Sequence, residues 1–291
     1  MKLEKKKRLF LFGCPRSGTT LLQSLLAAHP EILSVPETQF FWYMIPIYQE
    51  PWRKLLQWRQ WLKVPRKGFK AELEHFFKDE INRADLLQKF SGFTFLRSQY
   101  TKKFIAILDE LAESEGKKIW LEKSPEHIYH IDYIEKFVPG AKFIHILRNG
   151  EDVVASLYDV TRKHPQPWGG KEWSIKLCIK RWVEAVEISR QNLDKPNHIW
   201  VRYEDIVANP QAELVRLCEF IGVEFTDLML QNYGSAAEKL TLESGGRTVA
   251  RGITNRNSQK FQKLFKESEK EYILQQLSQV NLDWATSKKN S

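Results

Sequence analysis

Along this 291-residue chain, short unbroken apolar runs alternate with stretches of helical period. Residues 8–12, RLFLF, form one such run and stop at Gly13, the mark of a strand covered on both faces. From Thr19 onward Leu21, Leu22, Leu25 and Leu26 recur at helical spacing. Pro30 ends that helix near His29, because proline disfavours helical geometry in the residue before it. Further strands are predicted at 31–35, 118–121, 142–147 and 197–201. Helices are predicted around 70–82, 101–114, 173–191, 210–221 (opened by Pro210) and 268–280. The pattern is that of an α/β chain. No Pro/Gly/Ser-rich linker, repeat or low-complexity tract divides it, so residues 1–291 are expected to form one domain.

A 42% hydrophobic and 12% aromatic content is ample for a sizeable core, and the net charge of +9 fits a polyanionic ligand, nucleic acid or a membrane surface. Part of that charge lies in Lys5, Lys6, Lys7 and Arg8 and in Lys288 and Lys289, read as solvated ends. The apolar run near the N-terminus breaks at Gly13, shorter than the about seven to fifteen residues of a secretory core or the about twenty of a span. A cytoplasmic protein without a membrane span is therefore expected. Cys14, Cys178 and Cys218 are isolated and lack metal spacing. Cys14 is either a reactive thiol or, preferably, a small residue tolerated at a tight turn.

The first strand leads into Gly13-Cys14-Pro15-Arg16-Ser17-Gly18-Thr19-Thr20. A strand, a glycine-bounded loop and a helix start make a phosphate cradle, with free N–H groups and the helix dipole aimed at the anion. The spacing is that of a P-loop, but Thr19 stands where the Walker lysine would be, and the loop's own charge is Arg16.

Other chemistry lies at later strand ends. Glu37 follows the second strand and precedes an apolar stretch, which suits a general base; a helix N-terminal acid is the plainer alternative. Lys123 ends the 118–121 strand region, where ligands of open α/β sheets bind. Glu122 is an alternative Walker B acid, which needs a metal, and His127 a base should Glu37 not serve. After the 142–147 strand, Arg148 sits at the tip, Asn149 is an N-cap with Asp152 completing an approximate capping box, and Ser156 lies two turns into the helix. A phosphate at this second helix start can meet both Arg148 and Ser156. His145 reads as a satisfied core histidine, and Asp205 as a magnesium ligand lacks a partner in sequence. Residues 40–69 interleave aromatic and basic side chains, which reads as a nucleic-acid stacking surface, a lid over an acceptor pocket or, preferably, an amphipathic helical insertion.

The octapeptide resembles the 5′-phosphosulfate loop of sulfotransferases that use 3′-phosphoadenosine-5′-phosphosulfate (PAPS). PRSGTT before an apolar helix is similar to the branch holding tyrosylprotein sulfotransferases and bacterial relatives, and E-x-x-F-F to heparan-modifying enzymes. The resemblance implies a P-loop-like three-layer fold, a central parallel sheet flanked by helices, with a helical insertion or acceptor lid at about 37–115 and a nucleotide-closing loop at about 240–265. It implies that Pro15, Ser17, Gly18, Thr19 and Thr20 hold the 5′-phosphate, that Arg16 faces the sulfuryl group, and that Lys123 contacts the bridging oxygen. Glu37 becomes the general base, and Arg148-x7-Ser156 the 3′-phosphate site. Tyr203, within the Y-E-D segment, and Lys260, beside Phe261 in a closing segment, become nucleotide contacts, with Arg247, Arg251 and Arg256 undecided. The implied reaction moves a sulfuryl group to a hydroxyl of unidentified acceptor without a metal. An ATP/Mg²⁺ phosphotransferase and a basic nucleic-acid-binding protein are the rival readings.

Overall fold

The computed structural model describes residues 7–45, 63–92, 94–241, 253, 259–282 and 285. Most of the aromatic-basic stretch (46–62) and Arg247, Arg251, Arg256 and Ser258 lie outside the described residues. Strands β1 (Lys7–Gly13), β2 (Ile32–Ser34), β3 (Ile119–Lys123), β4 (Ala141–Leu147) and β5 (His198–Arg202) form one sheet in the order β2-β3-β1-β4-β5. Every pairing is parallel. β1 lies between β3 and β4; the chain fills the β2-β3 side first and then crosses to β4 and β5, so a crevice opens beyond the carboxyl end of β1. Leu11 pairs with Lys123, Gly13 with Ile146 and Leu147 with Arg202, which brings the loop after β1, Lys123, Arg148 and Tyr203 to the carboxyl end of the sheet.

Alternation along β1 builds the two cores. Leu9 and Leu11 face the helix α1 (Thr19–Ala27) and the helix Pro210–Ile221, through Leu22, Leu25, Leu214 and Leu217. Phe10 and Phe12 face the opposite layer, with Phe143, Phe104 of the helix Arg97–Ser114 and Trp182 of the helix Ile175–Asn192. Three layers result, as the resemblance implied. Gly13 permits the close approach of β1 to β4, since a Cβ there would lie 2.4 Å from the Ile146 carbonyl oxygen.

The described insertion is helical but broken. The helix expected over 70–82 is a short one, Phe69–His75, followed by a π-helical turn, Phe76–Glu80, and stops where Asn82 takes a left-handed φ of 51°. The helix expected from 101 begins at Arg97, because Gln99 Oε1 accepts from the Phe95 and Leu96 amides and caps that end. No helix among the described residues is long and apolar enough to cross a membrane.

His145 is the core histidine expected. Its Nδ1 lies 3.0 Å from Ser189 Oγ and its Nε2 2.8 Å from His198 Nδ1, while His198 Nε2 lies 3.0 Å from Glu135 Oε1. The carboxylate only accepts, so His198 donates from Nε2, His145 donates to His198, and the Ser189 hydroxyl donates to His145. Both rings are neutral in this chain. Burial holds His145 well below its ordinary value and lowers His198, and burial pushes His130 down to about 3. The unfolded chain therefore binds protons that the native one refuses. Stability is full above about pH 6.5 and falls as pH drops below it, by up to about 1.4 kcal/mol per pH unit for each such histidine. Urea midpoints should drop between pH 7.5 and 5.5; a flat midpoint would contradict this account of the core.

Candidate active site

The loop after β1 is shaped by two left-handed residues, Arg16 at φ 74° and Gly18 at φ 97°. The Ser17 amide donates to the Cys14 carbonyl at 3.1 Å, and the Leu22 amide to that of Gly18, which starts α1. The N-cap residue, Gly18, has no side chain to cap this helix, which leaves its first-turn N–H groups suited to an anion. Ser17 and Thr19 are buried in the loop and Thr20 is half-buried beside them. Cys14 is also buried, and burial pushes its thiol up, away from thiolate chemistry.

The second helix start lies against the first. The Tyr203 ring covers Gly18 so closely that a Cβ there would meet Tyr203 Cδ2 at 2.3 Å. The Arg148 guanidinium carbon stands 4.1 Å from the centre of the same ring, and its Nη2 donates to Asp152 Oδ2 at 3.0 Å. Trp182 Nε1 donates to the Arg148 carbonyl at 2.9 Å. Asn149 caps the helix Gly150–Lys163 by accepting from the Glu151 amide, as expected. The capping box with Asp152 does not form: the Asn149 amide donates to Glu204 Oε1 at 2.8 Å, and the Asp152 carboxylate takes the Arg148 guanidinium. Arg16 Nε donates to Ser156 Oγ at 3.0 Å, so loop and second helix share one cleft. That contact turns Arg16 toward the side where the resemblance puts the 3′-phosphate.

Across the cleft, the buried Lys123 ammonium is ion-paired with Glu37 Oε1. Glu37 Oε2 accepts from Gln39 Nε2 at 3.1 Å, and the same nitrogen lies 3.2 Å from Glu126 Oε2. A buried carboxylate anchors this segment to β3. Glu122 Oε1 accepts from Thr38 Oγ1 (2.7 Å) and Ser124 Oγ (2.5 Å), and Oε2 from His127 Nδ1 (2.8 Å). Ser124 Oγ in turn accepts the Gln39 amide at 2.9 Å, and His127 Nε2 accepts the Phe41 amide at 3.0 Å. Glu122 thus has its oxygens committed to protein donors and is no Walker B acid. His127, fully buried with both nitrogens engaged, is no base. The wall beyond is aromatic: the Arg181 guanidinium carbon lies 5.2–5.6 Å from the ring centres of Tyr129, Trp173 and Trp42.

Lys260 reaches the helix that carries Ser156, donating to Asp159 Oδ2 at 2.9 Å, with Phe261 buried beneath it. The structure therefore gathers Arg16, Ser17, Gly18, Tyr203, Arg148 and Ser156 on one side and Lys123 with Glu37 on the other. Gln39, Glu126 and Asp159 join them without having been singled out in sequence. The acid three residues past Lys123 was the readable signal for Glu126; Gln39 gave none.

A profile of the Sulfotransferase family matches residues 8–227. The chain is 25% identical over 228 residues to the protein-tyrosine sulfotransferase of Drosophila melanogaster, covering 77% of this chain and 40% of that one. It is 26% identical over 247 residues to protein-tyrosine sulfotransferase 2 of Gallus gallus, covering 84% and 57%. The chain thus spans about half the length of the curated relatives it matches. In three dimensions it resembles the sulfotransferase domain from the curacin biosynthetic pathway (TM-score 0.62, 22% identity, 96% and 99% of the two chains). It also resembles that of the Synechococcus PCC 7002 olefin synthase (TM-score 0.58, 19% identity, 97% and 98%), which shows a shared fold. With a profile match running from β1 past β5, and a phosphate-loop sheet of matching fold beneath it, this chain belongs to the sulfotransferase family.

Proposed function

We propose that this protein moves the sulfuryl group of PAPS to an acceptor hydroxyl and releases adenosine 3′,5′-bisphosphate. The observation that carries this reading is the Arg16–Ser156 hydrogen bond, which ties the loop before α1 to the helix Gly150–Lys163 across one cleft, as a nucleotide with phosphates at both ends requires. The α1 amides with Ser17, Gly18, Thr19 and Thr20 take the 5′-phosphate, and Arg148 with Ser156 takes the 3′-phosphate beside Tyr203. Lys260, held beside the helix that carries Ser156, is assigned to close over the nucleotide.

Glu37 accepts the hydroxyl proton as the acceptor oxygen forms its bond to sulfur. The bond between sulfur and the bridging oxygen breaks, and Lys123 neutralises the charge left on the phosphate. Arg16 is assigned to the oxygens of the transferring group. As in loose phosphoryl transfer, the protein's task is alignment and charge stabilisation. These cations fill the role of magnesium in kinases, so the reaction is expected to run without added divalent metal. Glu122, spent on three protein donors, works against the ATP/Mg²⁺ reading.

Arg148→Ala is expected to weaken adenosine 3′,5′-bisphosphate by about 10–100-fold, the worth of hydrogen bonds to a charged group, and to leave AMP affinity unchanged. Calorimetry checks this; equal losses for both nucleotides would remove the 3′-phosphate assignment. The curated relatives' names make a tyrosine peptide the first acceptor to try. PAPS incubated with tyrosine peptides, sugars and phenols, without metal, should yield adenosine 3′,5′-bisphosphate and a sulfated product. Turnover of ATP with Mg²⁺, and none of PAPS, would overturn the reading.

A further inference from the structure

Three residues at the Glu37 side form a unit that the reaction as described leaves unused. Gln39 has a left-handed backbone (φ 48°, ψ 18°), an uncommon conformation for a residue with a Cβ. It is held there by its amide's bond to Ser124 Oγ and by the Glu122 anchor behind it. In that position the side-chain nitrogen, Nε2, lies 3.1 Å from Glu37 Oε2 and 3.2 Å from Glu126 Oε2. A side-chain amide has two N–H donors, and here each is spent on one carboxyl group.

We propose that Glu126 is a second proton-binding carboxyl group of the catalytic site, joined to Glu37 through the Gln39 amide so that the two acids titrate as one unit. The proposal rests on the reading of Glu37 as the base. Gln39 is a positioning residue, and Glu126 sets the ionisation of the pair. Two carboxylates sharing one donor repel each other, and only Glu37 has the Lys123 ammonium against it. Glu126 is half-buried, and burial followed by the Glu37 charge raises it from the ordinary carboxylate value. The Arg181 charge and the Gln39 hydrogen bond oppose that shift; Cys14 and Tyr43 also feel the Glu126 charge.

The consequence is a proton order. On the acid side Glu126 keeps its proton while Glu37 stays charged against Lys123. When Glu126 ionises, a second negative charge faces Glu37 across the amide and favours transfer of the acceptor proton to it. The site becomes a better base as pH rises through the Glu126 midpoint.

Carbon-13 NMR of glutamate-labelled protein reads this without acceptor or nucleotide, the Glu126 carboxyl signal being assigned from Glu126→Gln. Its midpoint is expected above the ordinary value of about 4.3, and lower by about one pH unit or more in Glu37→Gln. In Gln39→Leu, which removes a hydrogen bond to the charged form, the midpoint should rise further. A Glu126 midpoint unmoved by Glu37→Gln would overturn the proposal. Should that variant not fold, a wild-type titration at the ordinary value with single-site shape would overturn it equally. Failure of the sulfotransferase reading would show separately, as absent turnover of PAPS in a protein whose two acids still titrate together.

Discussion

Replacing Glu37 by glutamine is expected to cut turnover by about 10²–10⁴-fold, the usual weight of a positioned general base, while donor-nucleotide affinity stays nearly intact. The substitution is close to isosteric. Glutamine's carbonyl oxygen still accepts from Lys123, and the segment remains tied to β3 through Thr38, Gln39 and Ser124. What disappears is the ability to take a proton. The phosphate cradle is built from the β1 loop and the helix Gly150–Lys163, neither of which depends on the Glu37 charge. Turnover measured beside calorimetric affinity separates the two contributions. Full retained turnover would remove Glu37 from the chemistry, and a parallel loss of nucleotide affinity would make it a binding residue.

Gly18→Ala is expected to have the largest effect on binding. Alanine at φ 97° is strained by about 1–3 kcal/mol, and its methyl would press on Tyr203 Cδ2 at 2.3 Å. The ring has little room to retreat, because the Arg148 guanidinium lies over it. Loop and second helix start would have to part, and both ends of the nucleotide would lose their fit. A loss of about 10²-fold or more in adenosine 3′,5′-bisphosphate affinity should follow, with circular dichroism showing the fold retained. Near-native affinity would mean that the contact between Tyr203 and the loop does not shape the site.

How much of this was legible in the sequence depended on how local the cause was. The strand, glycine loop and helix from Lys7 to Ala27 were readable because apolar runs and glycine punctuation act over a few residues. Arg148 and Ser156 were readable for the same reason, as a strand tip and a position two turns into the next helix. The turn of Arg16 onto Ser156, 140 residues away, has no local signature and is set by the parallel pairing of β1 with β4. Asp152 shows a local rule losing to a tertiary one: the capping-box spacing is present, but the Asn149 amide donates to Glu204, 55 residues away, and the Asp152 carboxylate pairs with Arg148 instead. Gln39 was unreadable, since nothing in its neighbours announces a left-handed backbone. The contacts that hold it, Thr38 on Glu122 and the Gln39 backbone amide on Ser124, span 84 and 85 residues.

The central claim is that two helix starts grip a nucleotide phosphorylated at both ends. Calorimetric titration of adenosine 3′,5′-bisphosphate against ADP, each with and without Mg²⁺, tests it most directly. Tighter binding of the 3′,5′-bisphosphate, indifferent to Mg²⁺, is the predicted result. Equal or tighter binding of ADP that requires Mg²⁺ would contradict it.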